Sequence, residues 1–243
     1  MTPSQICQQT PKYGSRYHLL RYRDNAAALL DEAIIQSITP KPPKHSLQWI
    51  YPLQNETRPE PTGTSFLALD PDQRRAWEDF WPQTGTAQSW DGIACYHGPT
   101  GQSWVLIEAK ANHPEFCSPP SGAASGSLAQ INRSLGQAKA ALGVHRFFPW
   151  HGTYYQYANR LSFLFFLKKI GIQGHLVFLY FYGDQFPDGT PCPDSPGRWM
   201  ELIHACHLTL GLTNGHMLQS WIHDVFLPVP VPAYCPSTSA LSK

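Results

Sequence analysis

The stretch SWDGIACYHGPTGQSWVLIEAKAN, Ser89 to Asn112, constrains the chain more than any other. Two strand-like runs flank the tetrapeptide Gly98-Pro99-Thr100-Gly101, and such a glycine-flanked turn between them marks a β-hairpin. With the turn centred between Pro99 and Thr100, residues whose numbers sum to 199 face each other. Asp91 and Glu108 are such a pair, with side-chain roots about 4.5–5.5 Å apart. Strand alternation puts Lys110 on the same face as Glu108. The residues before Glu108, WVLI, form a continuous apolar run of the kind found in strands buried on both faces, so three ionised groups converge where the chain is otherwise apolar.

Opposed carboxylates repel unless something positive lies between them, and a divalent cation is the natural occupant. Mg²⁺, for which Mn²⁺ can substitute, takes one or two protein carboxylates and fills its octahedron with water and substrate phosphate. Lys110 lies too far along the strand to neutralise both acids, and as a flexible cation it suits a bound water or a phosphate oxygen.

Around the hairpin the chain alternates helix and strand signals. Asp24 to Ser37 reads as an opening helix with an Asp or Asn cap, Ser46 to Leu53 as a short strand, and Asp70 to Trp81 as a short helix. After the hairpin come the loop CSPPSGAASG and two helices, Ser127 to Leu142 (capped by Ser127) and Thr153 to Ile170. A buried strand HLVFLYFY, a helix from Arg198 to Leu210 and a last strand from Trp221 to Leu227 complete the order. This order predicts an α/β fold, a mixed central β-sheet flanked by helices, in a single domain spanning residues 1–243. The Pro-rich segment 228–243 reads as a flexible tail.

The hairpin motif resembles a known signature. Asp91, followed after 16 residues by Glu108-Ala109-Lys110, is similar to the D…(D/E)-x-K pattern of the PD-(D/E)XK nuclease superfamily, which has the restriction-endonuclease-like fold. The element order looks like that superfamily's αβββαβ core. FWP…WDGIA, IEAKAN…E and YYQYANRL look like a bacterial and archaeal branch of it, over most of Asn25 to Phe226. The resemblance implies that Asp91 and Glu108 bind the metal, that the Ala109 carbonyl completes the ligand set, and that Lys110 orients or helps deprotonate the attacking water. It also implies a glutamate from the opening helix, for which Glu32 is the candidate and Asp31 the next. Some members carry glutamine and tyrosine four apart on the helix after the hairpin; here Gln156 is followed at that spacing by Arg160, on the same helix face. Trp90 stands where the superfamily's name has proline.

The expected activity is therefore metal-dependent hydrolysis of phosphodiester bonds in nucleic acid, DNA on the strength of the resemblance. The alternative is a non-catalytic nucleic-acid-binding or assembly protein that keeps the nuclease fold. A glycosidase carboxylate pair fits poorly, because such pairs flank a sugar ring across an open cleft. Net charge is only +1, but no Asp or Glu occurs between Phe116 and Gly183, where Arg133, Lys139, Arg146, Arg160, Lys168 and Lys169 lie, a tract suited to phosphate contacts. Two-fold cleavage of a duplex would require a homodimer.

Other chemistries find little support. His204 and His207, or His113 and Cys117, lack the two-pair spacing of a zinc finger, and His113 and Glu115 read as loop residues. No phosphate-binding glycine loop or nucleophile elbow is present. Six scattered cysteines without a CxxC pair, and no apolar segment of the roughly 20 residues that span a bilayer, point to free thiols and a cytoplasmic location away from membranes.

Overall fold

The computed structural model describes residues 12–39, 46–84, 87–98, 101–120 and 122–229. The chain runs α1 (Ser15–Asn25), α2 (Ala27–Ile38), β1 (Ser46–Tyr51), α3 (Pro71–Phe80), β2 (Gly92–Gly98), β3 (Gly101–Lys110), α4 (His113–Phe116), α5 (Ser125–Ala141), α6 (Tyr155–Lys169), β4 (Gly174–Tyr182), α7 (Pro196–Leu210) and β5 (Ile222–Pro228). The five strands form one mixed sheet in the order β1-β2-β3-β4-β5. The first three strands pair antiparallel, and β4 and β5 add on parallel to β3.

The hairpin pairs as its turn dictates, from Gly92 opposite Ile107 to Gly98 opposite Gly101. Gly101 has φ +112°, a left-handed conformation that a side chain disfavours. Pairing stops one position short of Asp91 and Glu108, at the end of the hairpin away from the turn.

Alternation along β3 divides its side chains between the two faces of the sheet. Val105, Ile107 and Ala109 pack in one core with Leu30 and Ile34 of α2 and Leu19 and Tyr22 of α1. Leu106 packs in the other, with Phe163, Phe166 and Leu167 of α6 and Leu135 of α5. Glu108 and Lys110 have the parity of Leu106 and so face α6. Residues 157–164 of α6 are all buried, so this helix lies inside the core rather than on it. Burying a side chain such as Phe163 or Phe166 contributes roughly 1.5–3 kcal/mol. The crowded aromatic residues of α6 serve that packing: Tyr157 stacks on Phe178 with ring centroids 4.2 Å apart.

Several local expectations change. The opening helix is two helices, and α2 starts at Ala27 without a side-chain cap. The inward face of α1 is partly polar: His18 pairs with Asp184 at 2.9 Å, while Arg23 donates to the Pro52 carbonyl and lies 4.2 Å over the Trp49 ring. α5 begins at Ser125, and Ser127 hydrogen-bonds Thr84 instead of capping the helix. α3 starts as expected, Asp70 closing a capping box with Gln73.

Cys95, Cys117, Cys192 and Cys206 are free thiols, while Cys7 and Cys235 lie outside the described residues, as does the tail from residue 230 onward. Among the described residues no helix is long and apolar enough to cross a membrane.

Candidate active site

Five side chains meet where the hairpin ends against the N-terminal half of α6. The Asp91 Oδ2 accepts a hydrogen bond from the Ala109 backbone N–H at 2.8 Å, which ties the residue before β2 to the far end of β3. Glu108 is 2% exposed and holds two cations, Lys110 Nζ on Oε1 and Arg160 Nε on Oε2, each at 2.7 Å. Lys110, 8% exposed, also donates to Gln156 Oε1 at 2.7 Å. Arg160 completes its shell with the Ser89 carbonyl at 2.7 Å and lies 4.7 Å over the Trp90 ring. Gln156 and Arg160, one turn apart on α6, thus reach Lys110 and Glu108 respectively.

The backbone around the cluster is held from several sides. Trp90 is fully buried, its amide N–H donating to the Pro61 carbonyl and its indole N–H to the Gly63 carbonyl. Thr62 pairs antiparallel with Ser89, which brings residues 60–62 alongside 89–91. On α6 the Gln156 N–H, unsatisfied within the helix, donates to Ser118 Oγ at 2.9 Å. Beyond Lys110, Glu115 accepts from the Ala111 N–H, and Asn112 caps α4. His113 and Glu115, expected as loop residues, instead form part of the short helix α4, and His113 hydrogen-bonds Cys117.

The two carboxyl groups differ in charge state. Burial pushes the Asp91 carboxyl up to about 7, with the Glu108 charge adding to the effect and Lys110 opposing it. Burial pushes Glu108 up as well, but the charges of Arg160 and Lys110 outweigh it and hold that carboxyl below its usual range. One acid is therefore firmly ionised while its neighbour titrates near neutrality, an arrangement typical of sites that handle protons or cations.

Asp91 binds its proton more tightly in the folded than in the unfolded chain, so its contribution to stability falls as pH rises from about 4 to about 7. Asp91→Asn removes this penalty and keeps the oxygen that accepts from Ala109. The variant is expected to be more stable than the wild type by about 2–4 kcal/mol at pH 8, trimmed by solvent screening, and no more stable at pH 3.5. Urea unfolding at the two pH values checks this; the same difference at both would refute the assignment.

The structure does not bring Glu32 into the cluster. α2 packs on the opposite face of the sheet from Glu108 and Lys110; Glu32 is exposed and accepts from Gln36, and Asp31 accepts from the Trp49 indole. The acid that joins the field of the site is Glu60, which raises Asp91 further and is paired with Arg16 of α1. Sequence reasoning missed it because a single isolated bridge, Thr62 to Ser89, aligns the two segments, and one bridge leaves no periodic trace.

The members of the basic tract differ in exposure, Lys169 among them being exposed. Arg160 is buried in the cluster, Lys139 donates to the carbonyls of Arg146 and Phe148, and Lys168 sits over the Trp221 ring, while Arg133 and Arg146 are exposed. His207 hydrogen-bonds Tyr157, and His204 is exposed.

The donor set can be compared with the demands of a divalent ion. Two carboxylates and the adjoining Ala109 carbonyl are hard oxygen donors, and the Glu108 charge, after burial, adds to the raising of the Asp91 carboxyl. Against this, both Glu108 oxygens already face cations, and among the described residues no three or more His, Cys, Asp or Glu side chains form a metal-holding group. Mg²⁺ needs only one or two carboxylates, and Lys110 has a second partner in Gln156 if Glu108 releases it. The residues present fit such an ion.

A scan of protein-family models and searches of curated proteins and of solved structures found no match to this chain.

Proposed function

We propose that this protein is a metal-dependent nuclease of the PD-(D/E)XK type that hydrolyses phosphodiester bonds in DNA. The observation that carries the reading is the convergence of Asp91, Glu108 and Lys110 at the end of one hairpin, with Gln156 of the following helix on the lysine. The order α2-β1-β2-β3-α6-β4 supports a restriction-endonuclease-like αβββαβ core.

Asp91, Glu108 and the Ala109 carbonyl would hold Mg²⁺ or Mn²⁺. When bound, the ion supplies Lewis acidity toward the phosphodiester and its attacking water. The chain's own residues do the rest. Lys110, steadied by Gln156, places a cation beside the reacting groups and orients the water. Asp91 supplies a carboxylate once it has lost its proton. Arg160 keeps Glu108 ionised from the core side. In the net reaction the water oxygen joins phosphorus, one phosphorus–oxygen ester bond breaks, and the departing oxygen takes up a proton.

A second reading rests on one observation: with both oxygens on cations, Glu108 could serve as a fixed ion-pair network joining β3 to α6, in a binding or assembly protein that needs no metal. Supercoiled plasmid and single-stranded DNA offered with Mg²⁺, with Mn²⁺ and with chelator separate the two. Nicking that requires the metal is the expected result. Absence of cleavage, together with calorimetric Mn²⁺ binding that Asp91→Ala leaves unchanged, would decide for the second.

A further inference from the structure

The loop between α5 and α6 carries the most exposed large apolar side chain among the described residues, Phe147, at 76%. A single exposed apolar residue is ordinary, but this ring has cationic and aromatic neighbours. The Arg146 guanidinium lies 5.0 Å from its centroid and the His145 ring 4.8 Å, and both side chains are themselves exposed. The loop behind them is fastened. Lys139 donates to the Arg146 and Phe148 carbonyls at 2.8 and 2.9 Å, the Trp150 indole donates to the Leu210 carbonyl at 2.9 Å, and the Phe148 ring lies against Gly211. The two chain segments that meet here, 116–183 and 202–223, contain no Asp or Glu. α3 brings Glu78 and Asp79 to α5, but at Gln130, about two and a half turns before Lys139. Lys139, Arg146, Trp150 and His151 also line a hollow of ≈ 330 Å³. On α5, Asn132 lines that hollow and the preceding residue, Ile131, lines a cavity of ≈ 670 Å³ whose walls include Ser89, Gln156 and Arg160 of the charged cluster, so one helix connects the two.

We infer that Phe147 and Arg146 form a stacking platform for single-stranded nucleic acid, a base lying on the ring and its phosphate against the guanidinium. The inference deepens the nuclease reading by naming the strand state of its substrate, and rests on that reading for the choice of nucleic acid. A surface with an open aromatic ring, a cation beside it and no carboxylate in its segments is complementary to a ligand that joins a flat ring to a negative charge. Stacking of this kind is indifferent to sequence, because every base has a π-face. Within a duplex those faces are covered by neighbouring bases, so only an unpaired strand can offer one to Phe147. An anionic lipid surface also combines charge with apolar groups, but it is held by a broad amphipathic face, and the hollow beside Arg146 offers none.

The test is fluorescence anisotropy with an end-labelled single strand of mixed sequence and with its duplex, in chelator so that no strand is cut, beside co-sedimentation with phosphatidylserine vesicles. Phe147→Ala is expected to bind the single strand about 5- to 150-fold more weakly than the wild type, the range for one base–aromatic stack, while its affinity for duplex is unchanged. Phe147→Trp should restore single-strand binding, and Arg146→Gln should weaken it and flatten its salt dependence by about one phosphate contact. The exposed position of Phe147 keeps these variants folded, which urea unfolding verifies. Single-strand affinity that is absent in the wild type or untouched by Phe147→Ala overturns the inference, as does vesicle binding that Phe147→Ala abolishes while strand binding stays. Metal-dependent nicking that persists in either case leaves the nuclease reading intact. Stacking without such nicking retains the platform and sinks only the catalytic reading.

Discussion

Asp91→Ala and Lys110→Ala are expected to leave supercoiled plasmid intact under conditions in which the proposed nuclease activity of the wild-type chain nicks it with Mg²⁺. The expected loss for Lys110 is about 10²–10⁴-fold, the range for a positioned group that handles a proton or orients a nucleophile. For Asp91 it should be at least as large, because the variant removes both the proposed metal-ligating oxygen and the acceptor that ties Ala109 to the start of β2. The two should differ in their response to metal. Raising Mn²⁺ cannot rescue Lys110→Ala if lysine acts on the water, whereas a weakened ion site after Asp91→Ala is partly filled by mass action. Gel quantification of nicked product against metal concentration reads both effects. Full activity in Lys110→Ala would remove the lysine from the mechanism.

The second large effect is on stability. Arg160→Met takes from Glu108 one of two cations inside the core, and breaking a buried pair from one side costs about 3–5 kcal/mol because a charge is left behind. Lys110 still faces the other oxygen, so the lower end, about 3 kcal/mol, is expected. In a domain of this size that is a fall in Tm of roughly 6–12 °C. Glu108→Gln in the same chain removes the stranded charge and should recover most of the loss, a coupling that a double-mutant cycle measures directly. The pH dependence has a definite sign. Glu108 is held below its usual range, so its stabilisation is present at neutral pH and is lost as pH falls below about 4. A cost under 1 kcal/mol for Arg160→Met would mean that solvent reaches the pair.

How far the sequence carried depended on whether a feature was local and periodic. The hairpin register was readable because a glycine-flanked turn leaves a single symmetric pairing, and the pairs from Gly92–Ile107 to Gly98–Gly101 follow it. β4 was readable as an unbroken apolar run. α1 was not, because His18 and Arg23 stand at inward positions where an apolar stripe would have announced it, and their partners Asp184 and Pro52 lie far away in the chain. Gln156 and Arg160 could be placed on one helix face from their spacing, but not the preference of Arg160 for Glu108 over solvent, which burial decides. Glu32 was misplaced because a helix read from sequence does not say against which face of the sheet it packs.

The placement of α6 has a last consequence. The cavity beside the cluster is lined by four residues of α6, Tyr155, Gln156, Asn159 and Arg160, of which Asn159 and Arg160 lie in the run 157–164 that is buried throughout and so share the opening free energy of the core. Ser118, in the segment after α4, caps that helix and also lines the cavity together with Pro119 and Pro120. A change in the shape of this cavity is therefore less costly at the exposed Pro119 and Pro120 than in the buried turns of α6.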